Sequence, residues 1–173
     1  MRTEKSRKPP RPLDEETLRA IGLRYVERYA TSEAKLAAYL ARKLRERGWA
    51  GERPADIETI VARFADLRYV DDRTFGESRA RGLERRGYGA RRIGQDLRAA
   101  GLAEELRGEI TGAVDARGAA MAYARRKRFG PFAREAPDRA VRQKQFAAML
   151  RAGHDARTAA EILDMRDVEL DYE

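Results

Sequence analysis

The 173-residue sequence predicts an all-α protein, laid out as an elongated, curved array of three tandem three-helix repeats. Three observations carry that expectation. Apolar residues recur at helical spacing along most of the chain, and from Ala55 onward no segment sustains the period-2 alternation of a strand. A short pattern also recurs: "LARKLRERG" (40–48), "IGQDLRAAG" (93–101) and "FAAMLRAG" (146–153) each place an apolar residue four before a leucine, then Arg, then a nearby glycine. The three leucines, Leu44, Leu97 and Leu150, stand 53 residues apart, and such self-similarity is the signature of stacked modules that bury part of their apolar face against a neighbour.

Residues 1–12 hold three of the six prolines beside five basic residues, so they are expected to form a disordered basic tail, with order beginning at Leu13. Repeat 1 spans 13–70. Asp14 is the expected N-cap of a helix over 14–30 whose Leu18, Ile21, Tyr25 and Tyr29 share a face, and Thr31 or Ser32 caps the next helix, 32–47, ending at Gly48. Trp49 is expected to pack where the second and third helices meet. Pro54 and Asp56 restart the chain into 55–69, where Ile57, Ile60, Val61, Phe64 and Leu67 form the clearest apolar stripe. Repeat 2 spans 71–115, with helices over 72–86, 89–100 and 103–114. Repeat 3 spans 116–173, with helices over 116–129, 138–152 and 156–166 and an acidic C-terminal end.

Composition narrows the function. Lys and Arg number 37 against 29 Asp and Glu, a net charge of +8 that favours a polyanionic partner, and only six of the 37 are lysines, a bias toward the planar bidentate donor. The absence of cysteine excludes a disulfide framework and thiolate chemistry and fits a reducing compartment. No apolar run reaches the roughly 18 residues that cross a bilayer, and the first residues lack the apolar stretch of a signal peptide, so a cytoplasmic protein is expected. The lone His154, flanked by Gly153 and Asp155, assembles neither a triad nor a zinc site and reads as a loop or helix start. With no Ser-His-acid set, nucleotide loop or metal-ligand cluster, no enzyme, cofactor or metal is expected.

The charged motif "YVDDRTFGESRARGLERRGYGARRIGQDLRAAGL" (69–102) has the look of catalytic machinery, but adjacent carboxylates point different ways on any regular element. Asp71 and Asp72 instead read as helix caps and partners in inter-helix hydrogen bonds. Gly87 and Gly89 read as turn residues. The turn that they make displays Arg85, Arg86, Arg91 and Arg92 around Tyr88, a patch suited to phosphates, an unstacked base or an acidic protein surface. "ARRKRF" (124–129) is a second patch, with Arg125, Arg126, Lys127 and Arg128 contiguous.

These residues carry a resemblance. The run "LRYVDDRTFGESRARGLERRGYGARRIGQDLRAAGL" (67–102) resembles the core of RecX, the bacterial regulators of the RecA recombinase, in which an aromatic-aliphatic-Asp-Asp segment leads to a Phe, a basic glycine-containing turn, an Ile and a Leu-x-x-x-Gly. "KLAAYLARKLRERGW" (35–49) looks like the family's preceding repeat, and "MLRAGHDARTAAEIL" (149–163) is similar to its third. The resemblance implies a helical-repeat protein, a monomer, that lies in the groove of the RecA filament on single-stranded DNA and inhibits its recombinase, ATPase and co-protease activities. It also implies DNA binding, to single strands and to duplex, and roles in DNA repair, homologous recombination and the SOS response. The resemblance implies a basic concave face, and the basic positions of the matching segment are Arg79, Arg81, Arg85, Arg86, Arg91, Arg92 and Arg98. Two other readings of the charge are a helix-turn-helix regulator, which predicts a dimer on a preferred duplex site, and a non-specific DNA-binding protein acting without a recombinase.

Overall fold

A computed structural model describes residues 11–165. Among them are nine α-helices and no named strand: α1 (Glu15–Arg28), α2 (Glu33–Arg47), α3 (Ile57–Asp66), α4 (Asp72–Glu84), α5 (Ala90–Ala99), α6 (Glu104–Gly112), α7 (Ala116–Lys127), α8 (Arg139–Arg151) and α9 (Ala156–Asp164). A 3-10 turn, Gly130–Phe132, separates α7 from α8. Residues 1–10 of the expected basic tail and the acidic end from 166 onward lie outside the described residues. The described chain is anchored at Arg11, earlier than Leu13, because the Arg47 guanidinium donates to the Arg11 carbonyl from Nη2 at 2.8 Å.

Most of the helix starts obey one local rule. Asp14, Ser32, Asp56, Asp115, Asp138 and Asp155 each accept the backbone N–H three residues on, satisfying one of the donors that a helix leaves orphaned. Second helices end at glycines with left-handed backbone, Gly48 (φ 79°), Gly101 (φ 82°) and Gly153 (φ 97°), and only a residue without Cβ takes that conformation freely.

The glycines correct the repeat register. Counting four residues back from each reaches Leu44, Leu97 and Met149, and Met149 is fully buried while Leu150 is only half-buried. The third repeat is therefore one residue shorter than leucine spacing implies. Four residues before Met149, where α2 and α5 place Leu40 and Ile93, α8 buries Gln145, whose Oε1 accepts the Gly130 N–H at 3.2 Å and so ties the 3-10 turn to the core.

Three apolar cores result. Leu13, Leu18, Leu36, Leu40, Ile60, Val61, Phe64 and Val70 form the first, closed by a short bridge in which the Leu13 N–H donates to the Gly48 carbonyl at 2.9 Å and Leu13 accepts from Ala50 at 2.8 Å. Trp49 is partly buried against it, and its indole N–H donates to the Arg53 carbonyl at 2.6 Å. Two residues placed on core stripes by periodicity are in fact 50% exposed: Tyr29, because α1 stops at Arg28 and the chain turns extended, and Leu67, because α3 stops at Asp66. The second core gathers Ala80, Leu83, Ile93, Leu97, Ala100, Leu102 and Ile110 from α4 to α6, and the third Ala120, Tyr123, Ala124, Met149, Ala159 and Ile162 from α7 to α9, with their neighbours. Each fully buried leucine or isoleucine contributes about 1.5–3 kcal/mol.

By contact the chain divides into two compact units, Met1–Asp72 and Arg73–Glu173. The second unit holds two of the cores. Tyr88 packs against both of them.

Candidate functional site

The turn from α4 to α5 is a locked junction within the second unit. Gly87 ends α4 with φ 76°, and the Tyr88 N–H closes the helix on the Leu83 carbonyl at 3.1 Å. The Gly89 and Arg91 N–H groups donate to the carbonyls of Ala152 (3.0 Å) and Gly153 (3.2 Å) at the end of α8, so the first turn of α5 is capped by backbone from far along the chain. His154 is buried beside them, its Nε2 3.0 Å from the Gly87 carbonyl and its ring edge-on to Tyr123. The turn that the glycines suggest is thus a tightly packed one. A Cβ on Gly89 would fall 2.4 Å from the Gly153 carbonyl oxygen, and one on Gly87 would fall 2.5 Å from the Tyr123 nitrogen.

This junction brings the two basic motifs together. The guanidinium carbons of Arg86 and Arg126 stand 5.8 Å and 5.7 Å from the centroid of the Tyr88 ring, and Arg126 also lies 5.4 Å from that of Tyr123. Arg125 covers Phe132 at 5.2 Å. Two like charges share one half-buried ring, an arrangement that the π-face eases and an anion would ease further. Arg85, Arg86, Arg91, Arg92, Arg98, Arg125, Arg126, Lys127 and Arg128 are all exposed, and none has a carboxylate within ion-pair distance among the described residues.

Position relative to helix ends separates these cations. Arg125, Arg126 and Lys127 occupy the last turn of α7, where the helix dipole favours positive charge, so local structure alone accounts for them. Arg91 and Arg92 occupy the first turn of α5 with no acidic residue there, at the end that repels cations by about 0.3–1 kcal/mol each. Within the fold the Ala152 and Gly153 carbonyls offset part of that, and no carboxylate of the first turn does. An external anion would offset more.

Other predicted positions are engaged internally. Arg79 grips Asp96 with Nε and Nη2, the second contact at 2.9 Å, and Arg81 pairs with Glu77 at 3.7 Å. A hollow of about 280 Å³ beside Arg81 is lined by charges that pair with each other, Arg73 with Glu109 at 2.6 Å and with Glu77 at 4.0 Å. Asp71 pairs with Arg68 at 3.4 Å. Asp72 lies inside the first turn of α4, and its Oδ1 accepts the Glu33 N–H at 2.8 Å, an inter-helix hydrogen bond of the kind expected of it, which caps α2. The nearby Glu33 carboxyl is pushed up by burial and by the Asp72 charge. His154 was missed as a structural element because its partner is 67 residues away and no local pattern announces it.

Among the described residues no group of three or more His, Cys, Asp or Glu side chains is placed to hold a metal ion, and no helix is long and apolar enough to cross a membrane.

Comparison with known proteins follows the same lines. A family model described as RecX, second three-helix domain, matches residues 71–109, which contain the junction. A regulatory protein RecX of Myxococcus xanthus is 30% identical over 171 residues, covering 93% of this chain and 91% of that protein. The regulatory protein RecX of Agrobacterium fabrum is 28% identical over 142 residues, 80% of this chain and 77% of its own. A crystal structure of a regulatory protein RecX superposes with a TM-score of 0.66 at 20% identity, covering 88% of this chain and 79% of the other, a likeness of fold.

Proposed function

The chain belongs to the RecX regulatory proteins, and from that premise we propose that it inhibits the RecA recombinase by binding in the groove of the RecA filament on single-stranded DNA, suppressing ATP turnover, strand exchange and co-protease activity. The observation that carries this reading is the paired placement of Arg86 and Arg126 on Tyr88, beside Arg91 and Arg92 at the unfavourable end of α5. A cluster of unneutralised guanidiniums on a rigid junction meets a dense line of negative charge without reorganising. Repeats over 13–70, 71–115 and 116–173 would present successive modules to a repetitive partner, with Arg85, Arg98, Arg125, Lys127 and Arg128 adding to the basic surface and Arg79 and Arg81 holding α4 in shape. Inhibition follows because a ligand that prefers one filament state holds the subunits there and stalls the ATP-linked cycle.

The test is binding at physiological salt to single-stranded DNA with and without a pre-formed ATP-bound RecA filament, followed by that filament's ATP turnover. The expected result is preferential binding to the filament with a fall in turnover, both lost in an Arg86→Glu/Arg126→Glu variant. Equal binding to bare strands with turnover untouched would replace this reading with that of a DNA-binding protein acting without a recombinase.

A further inference from the structure

The first unit carries an apolar groove that the basic junction does not explain. It has a volume of about 440 Å³ and runs between α1 and α3, walled by Leu23, Phe64, Leu67 and Tyr69, with Arg19 and Arg63 on its rim. Four large hydrophobic side chains are exposed among the described residues, and two of them, Leu67 (50%) and Tyr69 (52%), stand at this one groove. Tyr69 is held there edge-on to Phe64, with centroids 5.9 Å apart.

The backbone presents these two side chains at a cost. Between them Arg68 has φ 62°, a left-handed conformation that disfavours a side chain by about 1–2 kcal/mol; glycine takes it at the ends of α2, α4, α5 and α8, and Arg128 at the end of α7. The Tyr69 N–H closes α3 on the Phe64 carbonyl at 2.9 Å, so the turn is fixed and Leu67 and Tyr69 are turned outward. Backbone strain clusters at functional sites, and contiguous exposed apolar surface marks interaction sites. The rim decides the occupant. Arg19 is paired with Glu15 at 2.6 Å, whereas Arg63 is exposed with no carboxylate within ion-pair distance among the described residues.

We infer that this groove takes a short protein segment that inserts one large apolar side chain between Leu67 and Tyr69 and sets a carboxylate on Arg63. The inference rests on the filament reading above, and the segment belongs to the recombinase's protein surface, not to its DNA. The complex then has two separable sources of affinity. The basic junction and the Arg63 contact supply a salt-dependent part, and the apolar insertion at Leu67 and Tyr69 a part that salt barely changes.

The experiment is filament binding across a salt series with wild-type protein, Leu67→Ser, Leu67→Asp and Arg86→Glu/Arg126→Glu, with thermal melting of each. Leu67 is half-exposed and outside a helix, so melting should be unchanged. Leu67→Ser should weaken binding about tenfold at every salt concentration with the log–log salt slope intact, and Leu67→Asp should weaken it more. The arginine variant should instead flatten the slope. Wild-type binding that neither Leu67 substitution alters would overturn the groove and leave the filament reading standing. A wild-type dimer in sedimentation that Leu67→Ser converts to monomer would overturn it too, by showing a second copy in the groove. Absence of wild-type binding to the filament at every salt concentration would overturn the filament reading and this inference with it.

Discussion

His154 and Gly87, 67 positions apart, meet with the imidazole Nε2 3.0 Å from the carbonyl oxygen, and this contact ties the start of α9 to the turn that carries Tyr88. The ring nitrogen must bear the proton to donate, so in the neutral ring the hydrogen sits on Nε2.

Burial holds the His154 pKa below its usual 6.5, against the opposing influence of the Gly87 carbonyl and the Asp155 charge. The unfolded chain therefore takes up a proton on this ring as pH falls below 6.5 while the folded chain does not. Stability is full above that value and falls as pH drops toward the lowered folded pKa. Thermal melting between pH 7.5 and about 5 should show this decline in wild type and not in His154→Gln. Loss from Asp14, Asp56 and Asp155, whose pKa values the caps lower, belongs to a separate window below their usual 3.8.

Gly89 has an ordinary φ of −78°, so alanine there is not strained in its backbone. The obstacle is the Gly153 carbonyl, 2.4 Å from the new Cβ. Gly89→Ala should destabilise the second unit by about 1–3 kcal/mol in urea unfolding, as overpacking does, and weaken filament binding by displacing Tyr88. Full stability would mean that the α5–α8 junction is looser than described.

Asp72→Ala should cost about 1 kcal/mol in the first unit, since it uncaps α2 at Glu33. Asp72→Asn keeps an acceptor and removes the charge that pushes Glu33 up, so it should cost less. Equal losses in urea titration would show that charge, and not the hydrogen bond, is what matters.

Neutralising Arg91 and Arg92 to glutamine removes two cations from the unfavourable end of α5. The variant should be as stable as wild type or slightly more so, and its binding to single-stranded DNA should lose about 0.7 of salt slope per phosphate contact given up. Lower stability with an unchanged slope would assign these arginines to the fold.

The helices, the caps of the first repeat and the arginine clusters were legible from the residues, because each is set within three or four neighbours: Asp14 reaches Thr17, and Leu36 and Leu40 face one core. The repeat was legible as well, though Met149 and not Leu150 holds the third position, since a glycine's backbone sets the register and leucine spacing only follows it. Only the tertiary structure decided which distant groups meet. Asp72 caps a helix 39 residues back within the first unit, and within the second unit His154 braces Gly87 and Arg86 and Arg126 share Tyr88. It also put Leu67 in solvent, because α3 ends one residue short of the stripe that its spacing draws. Periodicity specifies which way a side chain faces on its own helix, but where that helix stops and what it is packed against are properties of the whole chain.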